Sequence, residues 1–138
     1  VRNKNLSQVR YLIEERGAHP NELEAGWRGQ TPLLAACSRA WRSYEIAAYL
    51  VIEKGVDVNI PDDRFGVTPL HWAVVGYSPD DEDNLLELVK LISLGNGGAE
   101  ALEARDRYGR TPLHVACEAG RLKIIQYLVE ERHADVQA

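Results

Sequence analysis

The sequence predicts an all-α solenoid of about four stacked helix-turn-helix units joined by short hairpin-like turns. Three observations predict it. A Thr-Pro-Leu motif followed by an apolar run starts at Thr31, Thr68 and Thr111. A second motif recurs out of phase with the first, and a Gly precedes each Thr by two positions. Self-similarity at intervals of about 20–50 residues is typical of repeat architectures.

The first motif predicts the start of an inner helix in each unit. A Thr hydroxyl can accept a hydrogen bond from an unpaired backbone N–H of the first helical turn. Pro at the first helical position lacks the N–H that would otherwise be left unpaired there. We therefore expect helices to open at Thr31, Thr68 and Thr111, each after a tight turn that contains the preceding Gly.

The second motif predicts an outer helix. Residues 6–18 align with residues 122–134, and residues 49–59 are a third copy. Apolar residues stand at Ile124, Ile125, Leu128 and Val129, which is the stripe of a helix buried on one side. A left-handed Gly can end such a helix, and the candidates are Gly17, Gly55 and Gly95. His133 stands where Gly55 stands, so we expect a left-handed His133.

Together these motifs resemble the ankyrin repeat. The resemblance includes TPLH at residues 68–71 and 111–114, Asp63 and Asp106 five residues before the Thr, and G-x-D-V-N at residues 55–59. It covers nearly the whole chain. It implies a partial repeat at 1–25 and further repeats at 26–62, 63–105 and 106–138. The outer helix at residues 1–18 lacks a preceding inner helix, so we expect the chain to be a fragment of a longer protein.

The third repeat is longer than the usual period of about 33 residues. About seven extra residues fall between Gly76 and Glu87, and about four follow Gly95, with one residue lost inside the outer helix. The run Asp80-Asp81-Glu82-Asp83 lacks the ligand spacing of a calcium loop, which favours a solvated insertion over a cation site. We expect residues 76–84 to be dispensable, and the second insertion to distort the hairpin that follows.

Composition excludes several functional classes. The chain has 138 residues and a net charge of −5, which argues against a general electrostatic interaction with nucleic acids. No apolar run approaches the roughly 20 residues needed to span a bilayer. Two isolated cysteines suggest a reducing compartment, so an intracellular location, cytoplasmic or nuclear, is expected. No motif calls for a cofactor or a metal, and no catalytic signature points to an enzyme.

The histidines and cysteines have structural interpretations. The resemblance implies that His71 and His114 form hydrogen bonds within or between repeats, whereas the second repeat carries Leu34 at that position. Cys37 and Cys117 occupy equivalent positions of their inner helices, where Val74 stands in the third repeat. That equivalence predicts small buried side chains in the core rather than nucleophiles.

The candidate binding residues lie at the turns. In such a stack, the second, third and fifth positions of each repeat are expected to form one edge of a concave surface. They hold four Arg, three aromatic residues and no acid: Trp27, Arg28, Gln30, Arg64, Phe65, Val67, Arg107, Tyr108 and Arg110. Four inner-helix residues complete the candidate surface: Ser38, Arg39, Val75 and Glu118. Because Arg and aromatic residues dominate interface hot spots, we expect a module that binds a protein or peptide of acidic or mixed character. We expect the module to be a monomer.

Alternatives remain at this point. Phe65 and Tyr108 could serve only as scaffold, with each ring resting on the neighbouring turn, and Trp72 could face either the core or the concave surface. The stack could also be a regulatory or targeting arm that packs on a catalytic domain elsewhere in a longer chain. Nucleic-acid binding is a weaker alternative that depends on the four arginines alone.

Overall fold

Pairs of helices stack side by side in the computed structural model, which describes residues 14, 31–37, 44–75 and 82–134. The inner helices are α1 (Pro32–Cys37), α3 (Pro69–Ala73) and α6 (Pro112–Ala119), and the outer helices are α2 (Tyr44–Ala48), α4 (Glu82–Ser93) and α7 (Leu122–Gln126). A short helix, α5 (Gly98–Ala101), follows α4. The part of the chain described here contains no strand. The predicted all-α repeat solenoid is confirmed.

Threonine caps start all three inner helices, as predicted. The Thr31 hydroxyl accepts a hydrogen bond from the Leu34 N–H at 3.2 Å. Thr68 and Thr111 accept in the same way from the N–H groups of His71 and His114. In these two helices the His side chain also accepts from the Thr backbone N–H, so each pair of residues caps reciprocally.

The outer helices of the second and fourth repeats end alike. Each finishes in a π-helical turn, over Tyr49–Glu53 and Tyr127–Glu131. The next left-handed residues are Gly55, with φ of 59°, and His133, with φ of 58°. The left-handed conformation predicted for His133 is therefore confirmed.

The third repeat ends its outer helix at a different glycine from the one expected. Gly97, with φ of 86°, is left-handed, and Gly95 is not. Aligning Gly97 with Gly55 and His133 places the buried Leu88 and Ile92 at the positions of Ile46 and Leu50. With this alignment, no residue is missing from the outer helix of the third repeat. The prediction that a left-handed Gly95 ends this helix is wrong.

Gly95 is required for a close approach between repeats. A Cβ at this position would lie 2.8 Å from Cγ1 of Val51 and 2.9 Å from Cγ1 of Val58. Both valines are buried side chains of the second repeat. The absence of a side chain at Gly95 thus lets the end of the third outer helix rest directly on its neighbour.

The insertions do more than lengthen loops. Residues 98–101 form α5, and Ala101 and Leu102 are buried in the core. The following turn still closes with a hydrogen bond from the Asp106 N–H to the Arg110 carbonyl at 3.0 Å. Ala101, within the second insertion, is therefore part of the core, and the turn that follows it remains closed.

Part of the first insertion is helical, because α4 begins at Glu82. Glu82 Oε2 accepts a hydrogen bond from the Lys123 backbone N–H at 3.0 Å, and Asp83 Oδ1 lies 2.8 Å from Lys123 Nζ. Both carboxylates thus contact the start of α7 in the next repeat. The expectation that residues 76–84 are dispensable stays a prediction; these contacts argue against it for Glu82 and Asp83, and residues 76–81 lie outside the described part.

The two cysteines differ although their positions in the repeat are equivalent. Cys37 is fully buried, as predicted, because α1 packs against both α2 and α3. Cys117 is exposed, so its predicted burial is wrong. It lies on α6, and within the described residues that helix has a neighbouring repeat on one side only, that of α3.

Candidate functional site: two adjacent fingers

The first finger is the turn at residues 62–67, and one carboxylate organises it. Oδ1 of Asp62 accepts hydrogen bonds from the N–H groups of Phe65 at 2.9 Å, Val67 at 3.2 Å and Arg64 at 3.3 Å. The Asp62 N–H donates to the Val67 carbonyl at 2.9 Å, which closes the turn. The organising residue is Asp62, not the Asp63 that the resemblance suggested, because this finger is one residue longer than the next.

The second finger is the turn at residues 106–110, and Asp106 organises it as expected. Its Oδ1 accepts from the N–H groups of Tyr108 at 2.9 Å and Arg110 at 3.0 Å. Burial by itself raises the pKa of the Asp106 carboxyl, but the hydrogen bonds from Arg110 and Tyr108 outweigh it and hold the pKa below its usual range. A stable carboxylate therefore fixes the backbone of this finger.

Arg107 joins the two fingers. Its backbone N–H donates to the Phe65 carbonyl at 2.9 Å, and its Nη2 donates to the Asp63 carbonyl at 2.9 Å. The backbones of the neighbouring fingers are thus joined directly, although 44 residues of sequence separate Arg107 from Asp63. Because the two turns are joined before a partner binds, less conformational entropy is lost when a partner contacts both of them.

Each finger presents an aromatic ring with an arginine over it. Phe65 is 42% exposed and Tyr108 is 68% exposed. The guanidinium carbon of Arg64 lies 5.9 Å from the Phe65 ring centroid, and that of Arg110 lies 5.3 Å from the Tyr108 centroid. The structure thus keeps both rings accessible, with a cation beside each.

Arg110 differs from the other arginines of the fingers. Its Nε donates to Asp106 Oδ2 at 2.9 Å, and its Nη1 donates to Glu118 Oε1 at 3.2 Å. Asp106 is buried, so this ion pair supports the turn. Arg110 and Glu118, both candidate contact residues from the sequence, therefore neutralise each other in part.

His71 connects the third repeat to the second finger. The Thr68 N–H donates to Nδ1 at 3.2 Å, and Nε2 lies 2.7 Å from the Arg110 carbonyl oxygen. Because an N–H only donates and a carbonyl only accepts, the neutral tautomer carries its proton on Nε2. Burial lowers the pKa of His71 and favours this neutral form. A structural imidazole is what the sequence predicted.

The remaining candidate residues divide into two groups. Val75 and Trp72 are half-buried and pack against the core, so neither is fully presented to solvent. Five candidates lie outside the described residues, and their placement stays a prediction: Trp27, Arg28, Gln30, Ser38 and Arg39. Sequence reasoning missed the role of Asp62 as acceptor for three N–H groups of the first finger, because counting back from the Gly or the Thr of the turn leads to Asp63.

Two further features, a metal-binding cluster and a membrane-spanning helix, are absent from the described residues. These residues contain no group of three or more His, Cys, Asp or Glu side chains arranged to hold a metal ion. None of their helices combines the length and apolar character needed to cross a bilayer. The arrangement suits recognition by rigid aromatic and cationic side chains.

The repeated helix pairs and fingers match a known family. A family model of ankyrin repeats, in three copies, matches residues 1–91 and 63–138. The chain belongs to the ankyrin-repeat family. Ankyrin repeats generally mediate protein–protein interaction and are generally non-catalytic.

Curated relatives carry similar ankyrin segments within longer chains. Protein fem-1 homolog A-like from Mus musculus is 35% identical over 122 residues, which is 88% of this chain and 16% of that protein. NF-kappa-B inhibitor alpha from Sus scrofa is 28% identical over 131 residues, 94% of this chain and 38% of that protein. NAD-dependent deacetylase sir2B from Dictyostelium discoideum is 25% identical over 152 aligned positions, 95% of this chain and 19% of that protein. The chain thus spans well under two thirds of each relative.

Proposed function

We propose that this ankyrin stack is a non-catalytic module that binds a partner protein or peptide through its fingers and the concave face beside them. The observation that carries the proposal is the pair of hydrogen bonds from Arg107 to the neighbouring finger, at Phe65 and Asp63. These bonds join the backbones of the two fingers that carry the exposed rings. Rigid aromatic side chains flanked by arginine are the residue types that contribute most at protein interfaces.

The exposed arginine side chains of the fingers favour contacts with an acidic partner, although Asp62, Asp63 and Asp106 balance the three arginines in the net charge of the two turns. Arg64 and Arg107 are exposed cations, whereas the chain as a whole carries a net charge of −5. A partner with carboxylates would be steered toward the fingers and away from the rest of the surface. Arg28 belongs to the same predicted edge. Arg110 contributes less to this attraction because Asp106 and Glu118 already engage it.

The experiment compares two variants of equal net charge. Arg64→Gln/Arg107→Gln removes two cations from the fingers, and Leu122→Glu/Gln126→Glu adds two acids on the exposed side of α7. Each pair takes the net charge from −5 to −7. Partners captured from cell extract by the wild type are identified by mass spectrometry, and the affinity of each purified partner is then measured for all three proteins.

We expect the finger variant to bind at least tenfold more weakly and the α7 variant to bind like the wild type. Equal loss in both variants would indicate a general effect of net charge and would contradict the proposal. Retention of the partner by the finger variant would also contradict it. Circular dichroism should match in all three proteins because the substituted side chains are exposed, and the finger variant should melt only slightly lower because Arg107 loses its side-chain hydrogen bond to the Asp63 carbonyl.

A second candidate function is an arm that packs on a catalytic domain of the same chain. One relative supports it, since the deacetylase carries this segment as 19% of its length. Hydrogen exchange would separate the two candidates. Protection of the Tyr108 and Gly109 amides in a longer parent chain, compared with residues 1–138 alone and without any added partner, would favour packing within the chain.

A further inference from the structure

A second exposed surface lies on the outer helices, away from the fingers. A cleft of about 490 Å³ separates the helical ends of the second and third repeats. Its apolar lining includes Tyr44, Val51, Ile52, Leu91 and Leu94. Ile52 is 69% exposed, Leu94 is 68% exposed and Tyr44 is 46% exposed. We call this cleft the outer groove.

The exposed apolar side chains depart from the pattern of the other repeats. With the left-handed Gly55, Gly97 and His133 aligned, Ile52 and Leu94 occupy the repeat position of Glu130. The sequence alignment of residues 6–18 with 122–134 places Glu14 of the first repeat at the same position. Both glutamates are exposed. A solvent-facing position therefore becomes apolar in the two adjacent repeats that flank the outer groove. Burial in the core does not explain that change, because neither side chain is buried.

The base of the outer groove is formed by closely packed residues of the second and third repeats. The end of α4 rests on Val51 at Gly95, where a Cβ would come within 2.8 Å of the valine methyl group. Val51 is itself part of the buried core. The outer groove is thus a preformed concavity between packed elements, the kind of surface into which an apolar side chain can insert.

The lining of the outer groove holds one glutamate and one lysine, and the acidic excess comes from an adjoining cleft. Glu87 lines the outer groove, and Glu45 and Glu53 line a smaller cleft of about 280 Å³ that shares Tyr44 and Ile52 with it. The one lysine in the lining, Lys90, has its ammonium 5.8 Å from the ring centroid of Tyr127. An apolar surface between carboxylates complements a ligand with apolar side chains flanked by basic ones.

We propose that the outer groove is a second docking site, which takes a basic amphipathic helix from a partner protein. Apolar residues three or four positions apart on such a helix would contact Ile52, Leu94 and Tyr44. Its Lys or Arg side chains would lie near Glu45 and Glu87. The charge preference is opposite to that of the fingers, so one stack could bind an acidic and a basic partner on different surfaces. This proposal does not depend on the function proposed for the fingers.

The test uses a synthetic Leu/Lys amphipathic helical peptide as the probe. A peptide of the same composition with its helical periodicity scrambled and a Leu/Glu peptide of the same pattern are the controls. Affinity is measured by fluorescence anisotropy, and the contact surface is mapped from the methyl signals of Ile52 and Leu94. We expect the Leu/Lys helix to shift both signals and to bind at least tenfold more tightly than either control.

The decisive variant is Ile52→Glu/Leu94→Glu, which introduces the residue that the first and fourth repeats already carry. It takes the net charge from −5 to −7, which strengthens non-specific attraction of a basic peptide. A tenfold or greater loss of affinity would therefore reflect the lost apolar contact. The α7 variant, Leu122→Glu/Gln126→Glu, has the same net charge and should keep the wild-type affinity.

Three outcomes would overturn the proposal. One is undiminished binding of the Leu/Lys helix by the groove variant. Another is equal binding of the scrambled peptide. The third is a concentration-dependent dimer, seen by analytical ultracentrifugation, that the groove variant abolishes, because the groove would then be covered by a second copy of this chain. Finger variants should not change the peptide affinity, so failure here is distinct from failure of the proposal for the fingers.

Discussion

Nε2 of His71 lies 2.7 Å from the carbonyl oxygen of Arg110, and this contact links the inner helix of the third repeat to the finger of the fourth. The other ring nitrogen accepts from the Thr68 N–H that begins the same helix. One neutral imidazole thus satisfies a buried donor and a carbonyl acceptor that are about forty residues apart in sequence.

Replacing His71 with Leu, the residue at position 34 in the second repeat, should lower the free energy of unfolding by about 1–3 kcal/mol at pH 8. The Thr68 N–H and the Arg110 carbonyl would lose their partner in a buried setting. Urea denaturation of wild type and variant measures the difference. An unchanged midpoint would show that the imidazole bridge contributes nothing.

The wild type should also lose stability as the pH falls below about 6.5, and the variant should lose less. Burial lowers the pKa of His71 in the folded chain from the usual 6.5. At pH values between the folded and the unfolded pKa, the unfolded chain binds the proton more readily than the folded chain. The contribution of neutral His71 to stability is therefore fully present above about pH 6.5 and is lost as the pH falls through the folded pKa. The difference between wild type and His71→Leu should therefore shrink from pH 8 to pH 5. A constant difference across that range would contradict the assignment.

Removing the carboxylate that organises the second finger should lower the free energy of unfolding. Asp106→Ala deletes the acceptor for Tyr108 and Arg110, and we expect a loss of about 3 kcal/mol at pH 7. Because the pKa of Asp106 is lowered, its contribution is present above about pH 3.8 and declines as the pH falls through the folded value. The penalty measured by denaturation should therefore be smaller at low pH. Glu118→Gln, at an exposed partner of the same arginine, is the control and should cost less than about 1 kcal/mol.

Gly95→Ala should destabilise the stack by about 1–3 kcal/mol, because the added methyl group overlaps Val51 and Val58. The penalty should be smaller in a Val51→Ala background, where one of the overlapping groups is absent. A double-mutant cycle measured by denaturation gives this coupling. Gly109→Ala, where nothing lies within 4 Å of the added Cβ, should show no coupling to Val51.

Two substitutions at equivalent left-handed positions should act in opposite directions. His133→Gly removes the backbone strain of a non-glycine residue at φ of 58° and should raise the unfolding free energy by up to about 1 kcal/mol. Gly55→Ala imposes the same strain at φ of 59° and should lower it by about 1 kcal/mol. Thermal melts of both variants test the signs, and a stabilising Gly55→Ala would refute the equivalence of these positions.

Glu82→Ala should lower stability by about 1 kcal/mol, the usual effect of losing a helix cap. Its carboxylate accepts from the Lys123 N–H in the first turn of α7, where no capping side chain from α7 itself bonds the backbone. Any shortening of the insertion should therefore stop before Glu82. Glu87→Ala, at an exposed acid of the same helix, serves as the control and should leave the melting temperature almost unchanged.

Local chemistry explains which predictions succeeded. A Thr hydroxyl and a following Pro act within one helical turn, so Thr31, Thr68 and Thr111 predicted three helix starts. The left-handed His133 followed from its alignment with Gly55. Contacts between repeats explain the failures. Cys37 and Cys117 occupy the same repeat position, yet only Cys37 has neighbours that bury it.

The sequence by itself determined the repeat architecture, because caps, helical periodicity and turn glycines act over a few neighbouring residues and recur in three copies. Only the tertiary structure decided that Asp62 organises the first finger, that Gly97 rather than Gly95 is left-handed, and that Arg110 pairs with Asp106 and Glu118. It also brought Ile52 and Leu94 to the same groove. These outcomes depend on how adjacent repeats meet, and that geometry joins side chains about forty residues apart, beyond the reach of any local rule.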